Sequence, residues 1–323
     1  MVGGNVYINP FDLDLDSADD ECPDPLRAKA DFIVSLCNVI IGGTYGLNKG
    51  QESVLDRCIL EVYRDYMDTM RKRMAINPND SIDRSICPTF EDLYDMLLTQ
   101  VEPEAEQLAL DLERYIKGSL DIFAHRTNVE TKGRFIVYDI KNVAGMMEFA
   151  LQVCLDSMWT AMMANRRAGR FTWLWIDEFH ILAQRKTSAD YAMTIFKRAR
   201  KHSGIPTALT QNIGDMLDCK QMRSILNNSN FIMMLDQAPQ EREELASMFH
   251  LSEEEKAYIT DAEPGHGLIY NSKAIIPFVD EFPEDTKLYV AMSTKPSDDA
   301  GFKKQEENEV IDDDNWFDDA IDY

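Results

Sequence analysis

Thr172-Trp173-Leu174-Trp175-Ile176-Asp177-Glu178 is the stretch that decides the fold. A short apolar run ends abruptly on two carboxylates. A continuous apolar run of this length is the pattern of a strand in a parallel sheet covered on both faces. In open α/β sheets ligands sit beyond the carboxyl ends of the strands, where Asp177 and Glu178 would project. An Asp held there can bind Mg²⁺, directly or through water, and a Glu can polarise an attacking water. Buried strands also end in acidic residues merely to cap the next helix. From these residues alone both readings stand.

The flanking sequence repeats the same alternation. Residues 134–139 form another apolar run and are expected to be a strand. Helical patterns follow over 144–167 and 188–202, with strands expected at 204–210 and 231–235. Strands alternating with helices predict a parallel sheet with helices on both faces. Residues 267–270 and 274–278 read as shorter, hairpin-like strands.

Further upstream, Ile8-Asn9-Pro10-Phe11-Asp12 looks like a strand end running into a Pro-fixed turn. Pro25 suits the first turn of a helix reaching about residue 41, which Gly42-Gly43 would end. From 49 to 116 the pattern is helical. Val54, Cys58, Ile59, Val62, Tyr63 and Tyr66 make one apolar stripe, and Thr89 with Asp92 resembles a capping box. With no convincing strand, this block reads as an all-helical insertion.

Two further signals could carry chemistry. Thr210-Gln211-Asn212 directly follows the strand after the Asp-Glu pair. Its polar side chains suit either a γ-phosphate contact or an ordinary strand-to-helix turn. Lys197-Arg198-Ala199-Arg200-Lys201-His202 is a basic run at a helix carboxyl end. It suits either the helix dipole or an arginine offered to a neighbouring subunit's phosphate. His180 reads as a packing or capping residue, and Pro264-Gly265-His266-Gly267 as a tight turn. The sequence contains no H-E-x-x-H, G-x-S-x-G, G-x-G-x-x-G or G-x-x-x-x-G-K-[ST].

Composition narrows the classes. The 323 residues are 45% hydrophobic and 28% charged, which suits one large α/β domain with an insertion. The formal net charge is -24, so strong direct nucleic-acid binding is not expected, because phosphate contacts need clustered Lys and Arg. Residues 296–323 hold 11 Asp/Glu against 2 Lys, and are expected to be a disordered acidic tail in which Trp316-Phe317 could dock on a partner. The six cysteines show no C-x-x-C spacing, so reduced thiols are expected rather than a zinc or disulfide framework. The most apolar long stretch, 144–164, carries Glu148, Gln152 and Asp156 four apart, a polar stripe that argues against a membrane span.

In this order the segments resemble one family, the conjugation and type IV secretion ATPases of the TraC and CagE kind, in the HerA–FtsK branch of P-loop motors. The resemblance covers roughly residues 3–292. The Asn9-Pro10 turn, the helical block, Phe123 with Thr127-Asn128-Val129, and residues 136–140 are similar to successive parts of that ATPase domain. Leu174 to Phe179 looks like its Walker B segment. Arg198-Ala199-Arg200-Lys201 and Thr210-Gln211-Asn212 look like its arginine and glutamine motifs, and Gly265-His266-Gly267-Leu268-Ile269 like its closing Gly-rich strand.

The resemblance implies a RecA-like P-loop NTPase fold, α/β with a parallel sheet. Residues 1–44 would begin the core, 45–130 would be the helical insertion, 131–295 the core with Walker B, and 296–323 the tail. It also implies a hexameric motor that uses ATP and Mg²⁺ for channel assembly or substrate export. That motor would be cytoplasmic, peripheral at the membrane, and partnered by secretion-channel components. Asp177 would hold Mg²⁺, Glu178 would activate water, Gln211 would sense the γ-phosphate, and Arg198 or Arg200 would act across a subunit boundary. Gly265 and Gly267 would lie at the nucleotide. The family's phosphate-binding loop precedes the Asn-Pro turn and has no counterpart in this sequence. The chain is therefore expected to be an N-terminally truncated core, inactive alone, with apolar surface uncovered. Two alternatives share these residues: an ATPase-like scaffold without catalysis, and part of a DNA-translocating motor of the HerA or FtsK kind.

Overall fold

The computed structural model describes residues 6–17, 23–41, 46–77, 82–129, 133–140, 143, 145–211, 213–272, 274–280 and 282–293. The chain divides into two compact units, Met1–Asn227 and Asn228–Tyr323. The expected tail at 296–323, Gly42-Gly43 and Asn212 lie outside the described residues.

The first unit opens with helix α1 (Pro25–Ile41), whose Pro25 takes the first helical position as expected. Four helices follow: α2 (Lys49–Val62), α3 (Arg64–Ile76), α4 (Phe90–Leu98) and α5 (Pro103–Ile116). Two capping boxes set their starts, Asn48 with Gln51 and Thr89 with Asp92. The expected apolar stripe is buried at Val54, Cys58, Ile59, Tyr63 and Tyr66, although the helix breaks at Tyr63. One core joins Phe11 and Leu13 to α1 (Ile33, Leu36), α2 (Leu55, Ile59), α4 (Leu93, Leu97), α5 (Leu108, Leu112) and Phe149. Each such side chain contributes about 1.5–3 kcal/mol by leaving water. The helical block has no separate core of its own.

Hydrogen bonds close this block at its base. Asn9 N–H donates to Thr127 Oγ1 (2.8 Å), and Asn9 Nδ2 donates to the Pro88 carbonyl (2.7 Å). Thr127 Oγ1 donates to Asp12 Oδ2 (2.8 Å), and Arg84 pairs with the same oxygen at 3.0 Å. Tyr63 OH donates to the Phe11 carbonyl and Tyr66 OH to that of Leu13, at 2.5 and 2.7 Å. The Asn-Pro turn is thus the knot that ties residues 9–12 to Thr127.

Helix α6 (Met147–Arg167) leads to strand β1 (Thr172–Ile176). Helix α7 (Lys186–Ala199) leads to β2 (Gly204–Ala208), then α8 (Ile213–Asp218) and α9 (Lys220–Asn228). β1 and β2 are parallel, with Thr172 opposite Gly204 and Ile176 opposite Ala208. Leu174 and Ile176 are buried with side chains of α6 and α7. On the other face Trp173 and Trp175 stack at 5.6 Å and stay 60% and 58% exposed, so helices cover one face of this pair rather than the expected two.

One further expectation differs. Residues 134–139 form no strand, and Phe135 and Val137 are exposed. The polar stripe of α6 does not face water. Gln152 is buried against Ser188, Glu148 pairs with Arg185 at 3.0 Å, and Asp156 pairs with Lys29 at 2.6 Å. Each side chain meets a partner from α1 or from the start of α7, which offsets part of the penalty for its burial, although Gln152 Oε1 is buried without a hydrogen-bond partner.

The second unit holds β3 (Phe231–Met234), α10 (Pro239–Phe249), α11 (Glu253–Lys256), β4 (His266–Asn271), β5 (Ala274–Val279) and α12 (Lys287–Met292). The hairpin β4–β5 forms as expected. β3, expected to extend the parallel sheet, instead pairs antiparallel with β4. Met234, Ile259 and Leu268 form its core.

Candidate functional site

β1 ends at Ile176, and the chain then turns sharply. Asp177 is exposed, and its Oδ1 accepts from the Glu178 N–H at 2.9 Å. Glu178 has φ 48°, a left-handed conformation that is uncommon for a side chain of this kind. The strain is held by the surroundings. Leu209 N–H donates to the Ile176 carbonyl (2.8 Å), and Phe179 N–H donates to the Leu209 carbonyl (2.9 Å). Phe179 is fully buried and begins a 3₁₀ turn, Phe179–Ala183. The residues after β1 are therefore latched to those after β2.

That latch brings two of the sequence signals together. Thr210 and Gln211 follow β2 directly, beside the Asp177-Glu178 turn, and Gln211 is exposed. His180, read from the sequence as a packing or capping residue, links them. Its Nδ1 lies 3.4 Å from Glu178 Oε2 and 3.2 Å from Thr210 Oγ1. No sequence spacing signals this meeting, because Thr210 comes from a different strand 30 residues on.

The two arginines separate. Arg198 turns back onto its own unit, its guanidinium 4.9 Å from the Trp159 ring. Arg200 is exposed at the start of the 3₁₀ turn Arg200–His202.

Arg198 also lines a cavity of about 110 Å³ with Asp12, Lys29, Asp156, Trp159 and Tyr191. Burial pushes the Asp156 carboxyl above its ordinary value, against the opposing pull of Lys29 and of a Tyr191 hydrogen bond. Burial likewise raises Asp12, opposed by the Thr127 bond and Arg84. Asp12 Oδ1 is buried without a hydrogen-bond partner.

Gly265 and Gly267 lie in the second unit, where the sheet accounts for their residue type. Gly265 has φ +85° and accepts from Asp280 N–H (2.8 Å). A Cβ on Gly267 would fall 2.3 Å from the Met234 carbonyl oxygen.

Among the described residues, no group of three or more His, Cys, Asp or Glu is placed to hold a metal by protein ligands alone. Cys37, Cys87 and Cys154 are buried thiols pushed up to about 12 by burial, and so are poor nucleophiles. No described helix is long and apolar enough to cross a membrane.

Residues 75–273, well over half of the chain, match the family described as the TraG P-loop domain. The chain belongs to that family. As a TraG P-loop domain it is part of the ATPase motor of conjugative transfer and type IV secretion systems. VirB4 of Thermoanaerobacter pseudethanolicus has the same fold, with a TM-score of 0.73 and 22% identity over 88% of this chain and 76% of that one. The α/β architecture is thus that of a RecA-like P-loop NTPase. The plasmid coupling protein TrwB in complex with ADP and Mg²⁺ is more distant, with a TM-score of 0.46 and 13% identity over 87% of this chain and 75% of that one. No curated protein matches the sequence.

Proposed function

We propose that this TraG P-loop domain carries the hydrolytic half of an ATP site at the ends of β1 and β2. The supporting observation is the latch that sets Asp177-Glu178 beside Thr210-Gln211. Asp177 is the Mg²⁺ ligand. Its exposed carboxylate is a hard oxygen donor, and Mg²⁺ prefers one or two carboxylates completed by phosphate oxygens and water. When bound, the ion neutralises charge on the phosphates. Glu178 orients the attacking water, and Gln211 contacts the γ-phosphate. Arg200, exposed where Arg198 is packed on Trp159, is the arginine offered to a neighbouring subunit. The working state is accordingly an oligomer, attached peripherally to a secretion channel.

The backbone amides and lysine of a phosphate loop are absent from these 323 residues, so the cradle that grips phosphates is missing from the polypeptide. The test uses the 323-residue chain with millimolar Mn²⁺ and ATP. Mn²⁺·ATP should broaden NMR signals near Trp175 and His180, and Asp177→Asn should abolish the effect. Equal broadening in the variant would sink the metal assignment. Hydrolysis should stay well below a turnover on the order of 1 per second, the low end of ordinary enzymes. A faster rate that Glu178→Gln removes would show that the chain needs no loop.

A further inference from the structure

His180 stands between a carboxylate and a hydroxyl that meet the same ring nitrogen. Its Nδ1 is 3.4 Å from Glu178 Oε2 and 3.2 Å from Thr210 Oγ1. The hydroxyl contact lies at the long end of hydrogen-bond reach and the carboxylate contact lies beyond it. A carboxylate can only accept, so Glu178 is held only when Nδ1 carries a hydrogen. Thr210 can donate its hydroxyl hydrogen only when Nδ1 presents its lone pair. In that tautomer the carboxylate faces a lone pair and is repelled. Thr210, which can also accept from Nδ1–H, is thus the one of the two neighbours that serves the tautomer with the lone pair on Nδ1.

The backbone makes this competition local and stiff. Glu178 is fixed in its left-handed conformation, and the Ile181 N–H donates to its carbonyl at 3.0 Å. Phe179, fully buried, anchors the turn that carries His180. Thr210 sits on the segment that leads straight into the exposed Gln211.

We propose that His180 is a positioning residue that holds or releases the Glu178 carboxylate through Nδ1, with Thr210 as its competitor. Displacement of the Thr210-Gln211 segment then sets whether Glu178 is free to orient water. This rests on the assignment of Glu178 as the water-orienting group. When Gln211 engages a γ-phosphate, Thr210 moves with it, and occupancy of the site is passed to the base through one side chain.

The test is read in the free chain, without nucleotide. Long-range ¹H–¹⁵N correlation of ¹⁵N-histidine reports which ring nitrogen carries the hydrogen. The sequence has five histidines, and loss of a signal in His180→Asn assigns the relevant one. Thr210→Val, which removes the hydroxyl at nearly constant shape, should shift His180 toward the tautomer with hydrogen on Nδ1. Glu178→Gln should shift it the opposite way. Opposite shifts support the competition, and a ring unmoved by both substitutions overturns it.

A second readout separates positioning from simple packing. The Glu178 side-chain carboxyl carbon, assigned by its loss in Glu178→Gln, should stay near its wild-type position in His180→Asn. That amide replaces Nδ1. The signal should move in His180→Gln, whose amide falls at the place of Nε2. Equal displacement in both variants overturns the role of Nδ1. These arms contain no metal or nucleotide, so their failure is distinct from loss of the Mn²⁺·ATP effect at Asp177.

Discussion

Asn9 shows how much one side chain can organise. It is 2% exposed, its Nδ2 donates to Pro88, and its Oδ1 accepts from the Phe11 N–H at 3.1 Å. Asn9→Ala leaves both backbone partners buried and unmet, at a cost of about 1–3 kcal/mol each. Urea unfolding should show a loss of about 2–6 kcal/mol for the two together, and a neutral result would mean that water replaces the amide. Asp156 gives a pH signature. Burial raises its folded value above the ordinary 3.8, so the folded chain holds the proton more tightly than the unfolded chain. The contribution of Asp156 to stability is then fullest below 3.8 and falls as pH rises from there through the raised folded value. Asp12 acts in the same direction. Asp156→Asn should make that fall shallower in urea titrations across the window, whatever it does to absolute stability. An unchanged slope would mean that Lys29 fully offsets the burial.

At the scale of elements, the strands and caps follow from local pattern while their pairing does not. The apolar runs at β1, β2 and β3 were legible, as was the capping box at Thr89. The run at 134–139 is apolar too but joins neither sheet. β3 turns to the hairpin because Gly267 lets the Met234 carbonyl come close. Gly267→Ala would press a methyl into that carbonyl and the Phe278 ring. A loss of about 1–3 kcal/mol in the second unit is expected from such overpacking, read by urea unfolding. A neutral outcome would show that the sheet shifts to admit it.

For the molecule as a whole, the open face of β1–β2 is the liability. Phe171, Trp173 and Trp175 are 77%, 60% and 58% exposed, beside Ile205 and Leu209 at 40% and 41%. Contiguous apolar surface of this kind favours association. The isolated chain should self-associate with rising concentration in sedimentation velocity. Trp173→Thr with Trp175→Thr should reduce this while keeping strand-forming residues in place. Association unaltered by the pair would place the contact elsewhere.

The sequence by itself determined the α/β class, the helical block, the Asp177-Glu178 pair at a strand end and Gln211 one unit later. Each rests on local periodicity or on residues adjacent along the chain. Tertiary structure alone decided the rest. It chose which face of α6 is buried, because Lys29, Arg185 and Ser188 come from elsewhere to meet Asp156, Glu148 and Gln152. It told Arg198 from Arg200, because only one of them reaches Trp159. It placed His180 between Glu178 and Thr210. The physical reason is the same in each case: a polar side chain's role is set by the partner it meets, and these partners lie on other elements, where no periodicity in the chain can point to them.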